Sequence, residues 1–204
     1  MPYVLPPAAS PDAYATVTYE DVEKAFAANI GVEYTRLFSA DQELFKQYVK
    51  RHLRRIWRFT HWPEVFEILA KPVSDDGEIS ALSDVGDIMG IFDSDPWSSE
   101  APVSYQYDMA PDSIRVMGNS VASPVYLLSR KRVPDFDTAT DEVSARFYNY
   151  LSLAAAADWL IHDEQFDRGR QLKAEAEEAL LEEAEELERQ EQQTKTTRIR
   201  LYYQ

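Results

Sequence analysis

Residues 143–161 read VSARFYNYLSLAAAADWLI, and residues 174–191 read AEAEEALLEEAEELERQE. In the first stretch Phe147, Leu151, Ala154 and Ala155 share one helical face, with Trp159 close to it. Val143, Tyr150, Leu153, Leu160 and Ile161 widen that face until little polar surface remains. A helix apolar nearly all round needs neighbours on several sides. The second stretch carries nine acids against a single arginine, and the apolar stripe of the helix around it is narrow: Leu172, Ala176, Leu180, Ala184 and Leu187. Residues 141–193 are therefore predicted to be a buried helix, capped at Thr138 or Thr140 and ending near His162, a turn over 163–166, and a displayed acidic helix. Acids near a helix C-terminus oppose its dipole at about 0.3–1 kcal/mol each at most. Glu178, Glu182, Glu183, Glu185 and Glu186 are the candidates for a functional acidic surface, solvation being the competing reason for them.

Two helices are expected upstream of this pair. Thr18 with Asp21 predicts an N-cap, Val22, Ala25 and Phe26 an inward stripe, and Gly31 a stop. Ser39 with Gln42 predicts a capping box for a second helix, whose Leu44, Phe45, Tyr48, Val49, Leu53, Ile56 and Trp57 recur at helical spacing. Its other side holds Lys46, Lys50, Arg51, Arg54, Arg55 and Arg58, with no acid between Leu44 and Trp62. Such a face suits phosphate, or an acidic helix of the same or a neighbouring subunit, or plain solvation. Arg51, Arg54, Arg55 and Arg58 are the subunit-interface candidates. Trp62-Pro63-Glu64 is expected to start a single helical turn over 64–69.

Between 71 and 134 the apolar runs shorten, and Gly, Pro, Asp and Ser become frequent. Strands are expected at 78–82, 87–92, 103–107, 113–117 and 125–129, with turns at Asp76-Gly77, Asp95-Pro96 and Gly118-Asn119. At the start, Pro2, Pro6, Pro7 and Pro11 predict an extended arm, either a loose end or a segment that docks on a partner. At the end, Thr197, Ile199 and Leu201 alternate with Arg198, Arg200 and Tyr202, the period of a strand that either augments a partner's sheet or is a disordered end. The fold class expected is mainly α (α+β): a helical bundle core from 18–70 and 135–193, a small antiparallel β insertion over 71–134, an extended Pro-rich arm over 1–17, and a C-terminal docking tail over 194–204.

Composition narrows the function classes. The 204 residues fit one ordinary domain, or one with an insertion, and include no cysteine, which excludes disulfides and thiolate metal sites. No basic region followed by an apolar run opens the sequence, and no run approaches the roughly 18–20 apolar residues of a membrane span. The formal charge of −15 disfavours nonspecific binding of the whole molecule to DNA or anionic lipid. Bases nevertheless concentrate in KQYVKRHLRRIWR (46–58) and TKTTRIR (194–200), and such segregation suits complementary surfaces on neighbouring copies.

Catalytic constellations are sparse. His52, His61 and His162 are widely separated, lack HExxH spacing, and read as structural. The six glycines form neither a Walker loop nor GxGxxG, Gly118-Asn119-Ser120 is not a nucleophile elbow, and Asp93-Ser94-Asp95 is too short for a calcium loop. No pair among the 36 acids is singled out for acid–base work. Neither a cofactor nor a metal is expected.

Three passages carry a resemblance: RRIWRFTHWPEVFEI (54–68), YQYDMAPDSIRVM (105–117) and FYNYLSLAAAADWL (147–160). In their order, and with the acidic last helix and basic tail, they are similar over roughly residues 19–204 to tailed-bacteriophage head-to-tail adaptor (connector or head-completion) proteins. The resemblance implies helical bundles with a variable β insertion and a ring of about a dozen copies beneath the portal, closed by a heterologous contact between copies. It implies no catalysis, a location in the neck of a virion assembled in host cytoplasm, and partners in the portal protein, other neck or tail proteins and further copies of itself. Genomic DNA would pass an acidic channel wall without sequence-specific binding, and no membrane is involved. By the same resemblance the sheet insertion faces the tail-side components, and 194–204 docks onto the portal, making Lys195, Arg198, Ile199, Arg200, Leu201, Tyr202 and Tyr203 the docking candidates. A neck or tail-completion protein, a non-viral helical interaction module, and a hydrolase with unlocated carboxylates are the competing classes.

Overall fold

The computed structural model describes residues 15–60, 62–80, 82–83, 85–97, 102–110, 112–118 and 120–201, the side chains of 191–201 excepted. The Pro-rich segment through Tyr14, together with His61 and Tyr202 to Gln204, lies outside the described residues. The chain divides into two compact units. One lies within His61–Pro134, and the other is assembled from the flanking stretches, Ser10–Thr60 and Asp135–Gln204.

Among its described residues, the unit within His61–Pro134 is strand and loop, apart from a 3₁₀ turn over Pro63–Val65. Its strands are β2 (Phe66–Lys71), β3 (Glu78–Ile79), β4 (Asp87–Phe92), β5 (Gln106–Met109), β6 (Ile114–Met117) and β7 (Val125–Arg130), numbered after the short β1 of the other unit. They form two antiparallel sheets, ordered β2-β7-β4 and β3-β6-β5. Ile91, Val125 and Leu127 of the first sheet and Ile79, Ile114 and Val116 of the second make one buried cluster. Alternation along β6, with Ile114 and Val116 buried and Arg115 and Met117 exposed, fits a sheet with one wet face. The expected strand at 87–92 is found as β4, and Asp76-Gly77 is a turn with Gly77 at φ 79°.

The second unit holds the helices. Strand β1 (Thr16–Thr18) pairs antiparallel with β8 (Glu142–Ser144), with Val17 opposite Val143. Helix α1 (Tyr19–Ile30) then starts from a complete Thr18/Asp21 capping box and ends on Gly31 at φ 83°. Helix α2 (Ser39–Phe59) buries Phe45, Val49, His52, Leu53, Ile56 and Trp57. Helices α3 (Tyr148–His162) and α4 (Phe166–Leu201) follow, joined by a turn in which Glu164 takes φ 62°. Around α3 the core gathers Phe26, Phe45, Phe136, Phe147, Leu151, Ala154 to Ala157, Leu160, Ala176 and Leu180. Phe45 stacks against Phe26 at 4.7 Å and Tyr19 at 5.2 Å between ring centroids. Burying each such ring contributes roughly 1.5–3 kcal/mol, so the aromatic cluster is a main tie between α1 and α2.

Several expectations are corrected. The fold is a mixed α+β fold and not a helical bundle with a small β insertion, because six strands form two sheets with a core of their own and two more strands form a third sheet. The turn of helix expected over 64–69 is instead a 3₁₀ turn followed by β2, whose cross-strand bonds to β7 outweigh the helical preference of a Pro-led start. Ser39 forms no capping box: Phe38 is the N-cap residue and its carbonyl takes the Gln42 N–H at 3.1 Å. The buried helix starts at Tyr148 and not at Thr138 or Thr140, since β8 draws 142–144 into pairing with β1 and a 3₁₀ turn over Ala145–Phe147 intervenes. Thr138 N–H and Asp137 N–H are instead held by the Asp141 carboxylate at 2.8 and 2.9 Å. Among the described residues of the tail, 194–201 form no strand, for α4 continues to Leu201. No Gly or Pro interrupts the sequence after Gly169, and extending an existing helix costs far less than starting one.

Candidate interaction surface

The second face of α2 concentrates positive charge, with six bases between Lys46 and Arg58. With Phe45, Val49, Leu53 and Ile56 turned into the core, the helical period turns Arg51, Arg54 and Arg58 directly outward, with Arg55 at their flank. Arg51, Arg54, Arg55 and Arg58, together with the part-exposed Phe59, line a shallow concavity of ≈ 450 Å³.

Neighbouring helices claim two of the four guanidiniums. Arg55 forks onto Glu177 of α4, with Nη1 donating to Oε1 at 2.5 Å and Nη2 donating to Oε2. Arg51 pairs with Asp158 of α3. Lys46 and Lys50 converge on Asp137 at 3.2 and 2.8 Å, and these two ammoniums, Lys50 foremost, hold the Asp137 carboxyl below its usual range. Arg54 and Arg58 have no ion-pair partner among the described residues. Intramolecular pairing with the acidic helix, one of the readings of the basic face, therefore holds at Arg55 and not along the whole stripe.

Beneath the stripe lies a polar relay. His52 is buried, with Nδ1 3.0 Å from the Tyr150 hydroxyl and Nε2 2.6 Å from Asp158 Oδ2, the oxygen that Arg51 also engages. Burial, followed by the positive charges of Arg51, Arg55 and Lys173, pushes the imidazole down to about 4, so the ring is neutral at pH 7. A neutral ring satisfies both contacts in one tautomer: Nε2–H donates to Asp158, and Nδ1 accepts from the Tyr150 hydroxyl. Burial likewise pushes the Tyr150 phenol up to about 12, which keeps that donor protonated. Both ring nitrogens are occupied by the protein itself, so the histidine fastens α2 to α3 from within.

Helix α4 presents the opposite charge. Ala176, Leu180 and Leu187 are buried, and Glu178, Glu182, Glu185 and Glu186 are exposed on the other side. Glu183 lies nearer the core and pairs with Arg146 at 3.7 Å, tying α4 to the 3₁₀ turn before α3. Glu185 and Glu186 share Arg189 at 3.4 and 3.0 Å, whereas Glu178 and Glu182 have no ion pair among the described residues. Lys195, Arg198, Ile199, Arg200 and Leu201 belong to the last turns of α4, where cations suit the dipole. Tyr202 and Tyr203 lie outside the described residues.

Asp158 and Tyr150 are absent from the sequence-based candidates although they organise the arginine face. The available signal is that Asp158 is the lone acid in 143–161, and a carboxylate on an otherwise apolar helix requires a partner. Asp93 is committed to its own loop, accepting from Val103 N–H and Ser94 Oγ at 2.9 Å each. His162 is exposed at the end of α3. The chain matches no protein-family model and no curated protein.

Proposed function

We propose that this chain is a structural assembly protein of a tailed bacteriophage, a head-to-tail adaptor whose copies form a ring under the portal and join the capsid to the tail. The observation that carries the reading is α4. This helix of 36 residues is about 54 Å long, and it turns Glu178, Glu182, Glu185 and Glu186 away from its buried stripe of Ala176, Leu180 and Leu187. A long helix with a continuous charged outer face is suited to lie against a partner of complementary charge. Its charge changes from acidic to basic at Thr194, so one element offers two different contact chemistries. The resemblance of 54–68, 105–117 and 147–160 to adaptor proteins supplies the kind of partner: the portal for the basic end, and passing DNA for the acidic wall, which repels phosphate and so does not retain it. No catalytic step and no cofactor belong to this reading.

The test is capture of the purified chain by a portal ring from a tailed phage whose genome encodes it. Deletion of 194–204 is expected to abolish capture while the melting temperature stays within a few degrees of the parent. Capture of the truncated chain at the parental level refutes the docking role, and failure of the full chain to bind the portal refutes the adaptor reading.

A further inference from the structure

The basic face of α2 and the acidic face of α4 share a spacing. Directed away from the core of α2 stand Arg51, Arg54 and Arg58, separated by three and then four residues. Directed away from the core of α4 stand Glu178, Glu182 and Glu185, separated by four and then three. Read in opposite chain directions the two ladders coincide, with steps of about 4.5 and 6 Å along each axis. We infer that the arginine stripe of α2 in one copy seats the acidic ladder of α4 from a second copy, the helices antiparallel, with Arg51 opposite Glu185, Arg54 opposite Glu182 and Arg58 opposite Glu178.

Charge complementarity selects this occupant. Arg54 and Arg58 are unpartnered among the described residues, as are Glu178 and Glu182, so two of the three pairs join groups that the chain itself leaves open. The Arg55–Glu177 fork shows within one chain that an α2 arginine fits an α4 glutamate. Each ladder also has an apolar companion: Phe59, 37% exposed, beside the arginines, and Leu181, 52% exposed, beside the glutamates. A phosphate backbone has no use for either, whereas a helix–helix contact buries both. Because the two faces are different surfaces, the contact is heterologous and leaves one arginine face and one acidic face free for the next copies, as a ring or filament requires.

The inference rests on the assembly reading but is separable from it. The measurement is the mass of the full-length chain by light scattering across a concentration series. Arg54→Glu with Arg58→Glu is expected to weaken self-association at least about tenfold, as is Glu178→Arg with Glu182→Arg, each placing like charges opposite one another. Mixed one to one, the two variants present complementary faces to each other and are expected to regain association that neither shows alone. Circular dichroism keeps loss of folding apart from loss of contact, and the mixture itself guards against misfolded variants, which could not restore each other. Three results overturn the inference: a parent that stays monomeric, variants that associate as the parent does, or a mixture that does not recover. Binding of a short DNA duplex that is lost in Arg54→Glu/Arg58→Glu, with self-association unchanged, assigns the stripe to phosphate and likewise overturns it. A chain that self-associates by this contact yet ignores the portal keeps the inference and removes the adaptor reading. A chain captured by the portal whose arginine variant assembles normally does the reverse.

Discussion

His52 couples the charge on the surface of α2 to the packing beneath it. Its folded value of about 4 against an ordinary 6.5 means that the unfolded chain takes up this proton first as pH falls. The contribution is therefore fully present above pH 6.5 and is lost as pH drops from 6.5 towards 4, amounting to about 3 kcal/mol over the window. Gln at this position can still donate to Asp158 and accept from Tyr150, but it does not titrate. His52→Gln is expected to flatten the stability-versus-pH curve between 6.5 and 4 relative to the parent, measured by urea unfolding at several pH values. Parallel curves would show that the imidazole does not titrate there. The structural role of His52 is legible in sequence from its place beside Leu53 on the core side of an amphipathic helix. Its partners are not, since Tyr150 and Asp158 lie 98 and 106 residues away and nothing local joins them. Thr18 shows the opposite case: its capping box closes within three residues, and sequence suffices. Ser39 carries the same signature and fails, because the side chain one residue too far along is already inside the helix.

At the scale of elements, α3 and α4 lie close because small residues line their contact. Ala154 to Ala157 are all buried, and Gly169 meets the same helix. A Cβ at Gly169 would fall 2.7 Å from Ile161 Cγ1 and 3.1 Å from the Ala157 carbonyl oxygen. Alanine is the better helix former by about 1 kcal/mol, so Gly169→Ala would stabilise an isolated α4. Within the protein the clash includes backbone, which cannot rotate away, and overpacking costs about 1–3 kcal/mol. The expected net outcome is a loss of up to about 2 kcal/mol, read as a lower midpoint in chemical unfolding; a gain would mean that the helices move apart at little cost. The helical period makes α1, α2, the α3 stripe and the α4 stripe legible, since each rests on residues within a few turns of one another. Strands β1 and β8 are hidden because neither three-residue piece has a pattern of its own, and each exists through pairing with the other across more than a hundred residues. The tail misleads for a related reason. Its period-two pattern is a property of free strands, whereas the helix already under way at residue 193 carries residues 194–201 along with it.

For the whole molecule, a formal charge of −15 sets a conflict that salt can resolve. Copies of the chain repel one another through their net charge, which acts over tens of ångströms, while the proposed Arg–Glu contacts act at hydrogen-bond range. Screening separates the two, because the Debye length falls from about 30 Å at 0.01 M to about 10 Å at 0.1 M and about 3 Å at 1 M. Between the first two conditions salt mainly removes the long-range repulsion, so self-association is expected to strengthen. Above roughly 0.2 M the repulsion is already short-ranged, and further salt weakens the ion pairs that hold the contact. Average mass by sedimentation equilibrium at fixed protein concentration should thus pass through a maximum between about 0.1 and 0.3 M and decline towards 1 M. A mass that rises steadily to 1 M would instead mark an apolar interface, with Phe59 and Leu181 as its centre and the arginines incidental. The Arg54→Glu/Arg58→Glu chain, in which like charges oppose each other at two of the three positions of that contact, is expected to lose the decline and to show the rise alone.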